Sequence, residues 1–269
     1  MNTELISVRS VLLTGFILAA TATTVVAGPG IRRRFVRPTQ PAKALAKWHH
    51  VNVRSGGVNR IASTRPDNTG GAGSLEQILP AHPSAIAEFE VLARDVHPDP
   101  TEGIQPWTGG FGLLSHLTEL SFDWYRDSAS GAWSHITPAL RVLVWDPDAG
   151  LNGGTYLLIW EGVYNGYSQP GVGVPVDQWV HADITNDNFW RIPIYVDGEW
   201  VGPGFCSANP VECYQYGNEL GDWGFGPSAR VVGLSVAVGG GWNGDYHGFI
   251  DNVAINFAGQ RKRLWNFEP

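Results

Sequence analysis

The chain has 269 residues, of which 12 are Trp, 34 are Gly and only 16% are charged, with a formal net charge of −7. Many glycines and aromatics with few charges fit short strands joined by tight turns, and the length is enough to bury a sizeable core without staples. The acidity argues against nucleic acid and anionic lipid as partners.

Residues 1–27 read as a cleavable secretory signal peptide. Arg9 supplies a positive start, although Glu4 weakens it, and Val11–Ala20 forms an apolar core. Val25-Val26-Ala27 fits the small-residue cleavage preference, and Gly28-Pro29-Gly30 then breaks any helix. The apolar core is too short to span a bilayer. No later run is long enough, and Asn266–Pro269 closes the chain with no hydrophobic tail, so no membrane span is expected in the mature protein.

Residues 28–45 carry Pro29, Pro38 and Pro41 among basic residues and read as a linker. Charge divides sharply here: Gly28–Pro66 holds nine Lys/Arg and no Asp/Glu, whereas Asp67–Pro269 holds eight Lys/Arg and 24 Asp/Glu. Arg32-Arg33-Arg34 and Arg37 either meet a polyanion or belong to a solvated tether, which is the simpler reading.

The folded domain is expected over 46–269. Leu120, Phe122 and Trp124 alternate with Glu119, Ser121 and Asp123, as in a half-buried strand. Leu140, Val142 and Val144 form the next stripe, and Tyr156–Trp160 is apolar on both faces, as a central strand would be. Alternation returns at Trp179–Ile184, Ile192–Val196, Val232–Val238 and Phe249–Phe257. Turn signals stand between them at 146–150, 152–154, 197–198 and 239–241. No window predicts an amphipathic helix. The fold class is therefore all-β, an antiparallel β-sandwich or jelly roll preceded by a signal peptide and a basic linker.

Cys206 and Cys213 are the only cysteines. In an oxidising compartment they are expected to form a disulfide that pins a local excursion rather than the whole fold.

Asp251 is expected on the same face as Phe249, Val253, Ile255 and Phe257. A carboxylate in an apolar stripe is costly unless paired, hydrogen-bonded or bound to a cation. Either it ligates a structural Ca²⁺, with Glu90, Asp123 or Asp245 as further ligands, or a bulge or backbone donors satisfy it. Asp146-Pro-Asp148-Ala-Gly-Leu-Asn152 resembles a calcium loop only loosely and fits a plain turn better.

Trp107, Trp160, Trp190, Trp200, Trp223 and Trp242 fall in or beside loops and strand ends. Exposed aromatic planes stack on sugar rings, while buried ones fill sandwich cores. Trp200 and Trp223, near the disulfide loop, are the first candidates for an aromatic binding surface, with Trp242 and Trp190 beside them. Catalytic templates are missing: there is no Gly-x-Ser-x-Gly elbow, no His-Glu-x-x-His helix and no Glu-x-Asp-x-x-Glu motif.

Three stretches together carry a family resemblance: Leu113–Asp127, Val236–Gly244, and Gly248–Val253 closing on Asn266-Phe267-Glu268. With Ile61–Pro66 and Ala87–Glu90, they resemble a β-sandwich domain of bacterial exported proteins of the PEP-CTERM type. The resemblance implies an extracellular or cell-envelope location and a jelly-roll fold, without a settled activity. The sorting tail of such proteins is missing, which favours release.

Gln178–His181 followed by Ile194–Glu199 is more weakly similar to laminin-G and concanavalin-like sandwiches, many of which bind glycans with calcium. Ile250–Val253 looks like the last strand of jelly-roll carbohydrate-binding modules. The leading expectation is a secreted, non-catalytic module for extracellular polysaccharide. The alternatives are a structural or adhesive envelope protein with a protein partner, and a glycoside hydrolase or polysaccharide lyase on the same sandwich. Nothing in the sequence sets an oligomeric state.

Overall fold

A computed structural model describes residues 32–36, 47–66, 69, 71–93, 109–167, 173–196, 199–201 and 205–269, with Arg32–Val36 and Trp200 by backbone alone. Residues 1–27, read from the sequence as a signal peptide, most of 28–45, read as a linker, Trp107 and the turn expected at 197–198 lie outside the described residues.

Strands run through the chain in order: β1 (Arg32–Val36), β2 (His49–Arg54), β3 (Val58–Ala62), β4 (Ser74–Leu79), β5 (Ile86–Leu92) and β6 (Gly112–Leu113). They continue as β7 (Leu117–Arg126), β8 (Ala139–Asp146), β9 (Gly154–Trp160), β10 (Trp179–Asp183), β11 (Trp190–Val196) and β12 (Glu199–Trp200). Two helical turns, α1 (Phe205–Ala208) and α2 (Pro210–Cys213), precede β13 (Arg230–Gly239), β14 (Tyr246–Phe257) and β15 (Arg263–Phe267).

These strands build the expected all-β sandwich. One sheet centres on β14, which pairs with β7 on one side and with β4 and β15 on the other; β10, β3 and β1 lie outermost. The second runs β12-β11-β9-β8-β13-β5-β2, with β6 beside one end of β13. All pairings are antiparallel except β1 with β15. Part of the segment read as a tether thus adds a parallel edge strand to the first sheet.

The alternating apolar residues meet between the sheets. Leu120, Phe122 and Trp124 face Leu140, Val142, Leu158 and Trp160 in one core. Phe122 meets Trp160 edge-on at 5.4 Å, and Phe267 of β15 packs on Trp48 at 5.2 Å. Trp48 and Phe267 are fully buried, so truncating either to Ala costs about 3–5 kcal/mol.

One expected stripe needs correction. On β14, Asp251 pairs with Asp123 and Ala254 with Ser121, so Asn252 and Val253 together face Phe122. This bulge reverses the period-two parity. Val253, Ile255 and Phe257 point into the core, whereas Phe249 and Asp251 share the outer face with Tyr125 and Asp123. Asn252 makes the bend with φ of +49°, a conformation that Asn tolerates better than most residues.

Candidate functional site

Four aromatic rings form a row at one end of the second sheet. Tyr164 and Tyr216 stack with centroids 4.0 Å apart and planes 15° from parallel. Tyr214 lies 6.3 Å from Tyr216 at 29°, and Trp190 lies 5.9 Å from Tyr214 at 34°. Tyr214 and Tyr216 are 40% and 38% exposed, while Trp190 and Tyr164 are half-buried. Offset aromatic pairs at the spacing of Tyr214 and Tyr216 gain about 0.5–1.5 kcal/mol beyond their area burial, which helps to hold the row together.

Each ring has its own support. Trp190 opens β11, opposite Ile159 of β9. Tyr164 sits in the short helical turn after β9, and Asn165 fastens that turn. Its side-chain amide donates to the carbonyls of Glu161 and Asn188, both at 3.0 Å, and its Oδ1 accepts the Asn188 N–H at 2.9 Å.

Tyr214 and Tyr216 follow α2. The Cys206–Cys213 disulfide, with Cα atoms 5.5 Å apart, ties α1 to α2. Arg191 Nε donates to the Glu212 carbonyl at 3.0 Å, and the Phe189 N–H donates to the Asn218 carbonyl at 2.8 Å. The bridge therefore pins a local excursion, as expected from so short a loop, and the excursion carries two of the four rings.

Glu161 lies beside the row. It directly follows Trp160, whose ring enters the core, and its own side chain reaches Trp190. Its Oε2 accepts the Trp190 indole N–H at 3.1 Å. Burial pushes the Glu161 carboxyl above the usual range; the Trp190 hydrogen bond and the Arg141 charge pull it partway back. Burial, then the hydrogen bond with Tyr216, raises the Tyr164 hydroxyl as well.

Arg141 belongs to a polar row across the same sheet face. The register runs Trp190, Ile159, Arg141, Ser235, Glu90, His49 over β11, β9, β8, β13, β5 and β2. Arg141 is already matched, since its guanidinium donates to Glu88 Oε2 at 2.9 Å. Buried Glu88 also accepts from Ser235 Oγ at 2.6 Å and from Asn52 at 3.2 Å.

The residues singled out from the sequence fall in different places. Trp190 joins the row. Trp200 belongs to β12, paired with Tyr195, and its side chain lies outside the described residues. Trp223, expected as an exposed plane, is buried under the Arg191 guanidinium, which lies 4.8 Å from its ring. Trp242 is half-buried against Tyr246 in a separate core cluster.

Of the four acids considered as metal ligands, only Asp123 and Asp251 come together, opposite each other on β7 and β14. Glu90 is on the other sheet, 3.4 Å from His49, and Asp245 is exposed ahead of β14. Asp251 is fully buried, and its Oδ1 accepts the backbone N–H groups of Asn252 and Phe267, both at 2.8 Å. Asp123 contacts His181 Nδ1 at 2.6 Å and accepts from Asn252 Nδ2 at 2.7 Å. No group of three or more His, Cys, Asp or Glu is placed to hold a metal ion among the described residues.

Sequence reasoning missed Tyr164, Glu161, Tyr214 and Tyr216. The available signal was Tyr214-Gln-Tyr216 directly after a cysteine-closed loop, with an acid and a Tyr just past a strand end. Compared with known protein families and with curated proteins, the chain matches none.

Proposed function

We propose that this is an exported, non-catalytic binding module for extracellular polysaccharide, and that the row Trp190, Tyr214, Tyr216 and Tyr164 is its binding surface. The observation that carries the reading is the pair of solvent-open tyrosine rings in a nearly parallel row, held by a disulfide-pinned excursion. Sugar rings present C–H faces to such planes, and their hydroxyls suit the polar rim that Glu161 and the tyrosine hydroxyls supply. Export accords with the disulfide and with the signal-like start, and the resemblance to exported PEP-CTERM-type domains points the same way.

Glu161 also favours a second reading, a glycosidase, because a carboxyl raised by burial suits a general acid. Such an enzyme needs a second carboxyl about 5–10 Å across the scissile bond. Glu88, linked to Glu161 through Arg141, is fully engaged by Arg141, Ser235 and Asn52, so binding without cleavage fits better.

Glycan arrays and pull-downs on insoluble polysaccharides test the proposal, with sugar release followed in the same samples. Retention without release is expected. Absence of any retention sinks the binding reading, and release of oligosaccharides replaces it with the enzyme.

A further inference from the structure

Glu161 is an acid at this row, and among the described residues it forms no ion pair. Its hydrogen bond comes from the neutral indole of Trp190. Arg141, close enough for its charge to be felt, is committed to Glu88. The other Glu161 oxygen, Oε1, accepts no hydrogen bond among the described residues. Trp190, bonded to Glu161, and the exposed rings of Tyr214 and Tyr216 in line with it are electron-rich, and open aromatic faces attract cations. The chain from Asp67 onward, with 24 acidic and eight basic residues, adds a field of the same sign.

We infer that the row binds a cationic polysaccharide, one with free amino groups on its sugar rings, and that Glu161 receives the ammonium while Trp190, Tyr214 and Tyr216 receive the ring faces. This inference rests on the aromatic row being a glycan-binding surface. It adds the chemistry that selects among glycans. A neutral sugar meets Glu161 through hydroxyl hydrogen bonds alone, whereas an amino sugar also brings a charge opposite to that of the carboxylate. A polyanion is disfavoured twice, by Glu161 and by the overall field.

The test uses residues 28–269 and two soluble probes, β-linked glucosamine oligomers and their fully N-acetylated counterparts, titrated by calorimetry at pH 6. At that pH most of the free amines are charged. The glucosamine oligomer is expected to bind about tenfold more tightly, the range open to a partly desolvated cation–π and carboxylate contact. Glu161→Gln retains an acceptor for the Trp190 N–H and for sugar hydroxyls, and is expected to abolish the preference by weakening the glucosamine oligomer about tenfold. Raising the salt concentration should weaken only the glucosamine oligomer.

Equal affinities, or tighter binding of the acetylated oligomer, overturn the cationic selection and leave the aromatic row standing. A preference that survives Glu161→Gln overturns the role of Glu161. If neither oligomer binds and the polysaccharide pull-downs are also empty, the binding surface itself is wrong.

Discussion

Glu161 and Trp190 are joined by one hydrogen bond, from the indole N–H to Oε2 at 3.1 Å, and this bond links the acid to the aromatic row. Because burial raises the Glu161 carboxyl, the folded state holds its proton more tightly than the unfolded chain does. For an acid shifted upward, stability falls as pH rises from the unfolded value of about 4.3 through the folded value. Glu161→Gln should therefore flatten this decline and raise the midpoint at pH 7, by about 2–4 °C for each kcal/mol recovered. Thermal unfolding from pH 4 to 8 checks this. A midpoint lowered at pH 7 would mean that the negative charge itself stabilises the fold.

Asp251 serves the backbone of Asn252 and Phe267, and Asp251→Ala leaves two buried N–H groups without that acceptor. Each orphaned donor costs about 1–3 kcal/mol, so a loss of roughly 2–6 kcal/mol is expected. If backbone service is the role of this side chain, the loss is the same in Ca²⁺ and in EDTA. A midpoint that depends on Ca²⁺ in the wild type and not in the variant would identify Asp251 as a metal ligand instead.

Asn252 separates backbone from side-chain effects. Its φ of +49° suits Gly, while its side chain bonds Asp123 at 2.7 Å and Thr69 at 2.9 Å. Asn252→Ala loses both the bonds and the tolerated bend, whereas Asn252→Gly loses only the bonds. The Gly variant should be the more stable by about 1 kcal/mol, measured by chemical denaturation. Equal losses would mean that the bend carries no strain.

The disulfide closes a separation of only seven residues. Chain-entropy arithmetic for so short a loop gives at most about 2–3 kcal/mol. Cys206→Ser with Cys213→Ser should lower the midpoint modestly and weaken ligand binding disproportionately, because Tyr214 and Tyr216 lose their anchor. Binding unaffected by the double substitution would detach the excursion from function.

Much of the fold was legible because its strands alternate. Leu120, Phe122 and Trp124 all enter the core as their spacing implied, and the doubly apolar Tyr156–Trp160 run is indeed flanked by β8 and β11. Parity failed at Asp251, since a single extra residue in a bulge leaves no trace in composition. The two helical turns escaped because four residues are too few for a helical period to show. The site was harder to read. Trp223 and Tyr216 flank the same excursion, yet one is buried under Arg191 and the other is exposed; only the tertiary path of 205–225 decides which. Tyrosine offers a stacking face similar to that of tryptophan, yet at 8 residues against 12 it does not stand out in composition.

The most direct measurement is calorimetric titration of residues 28–269 and of the Tyr214→Ala and Tyr216→Ala variants with a soluble oligosaccharide from whichever polysaccharide retains the wild type. Both rings are exposed, so the variants should unfold within a few degrees of the wild type. Each variant is expected to lose affinity at least tenfold, the scale of about 1.4 kcal/mol for one lost stacking face. Unchanged affinity in both variants would contradict this and move the binding surface elsewhere on the sandwich.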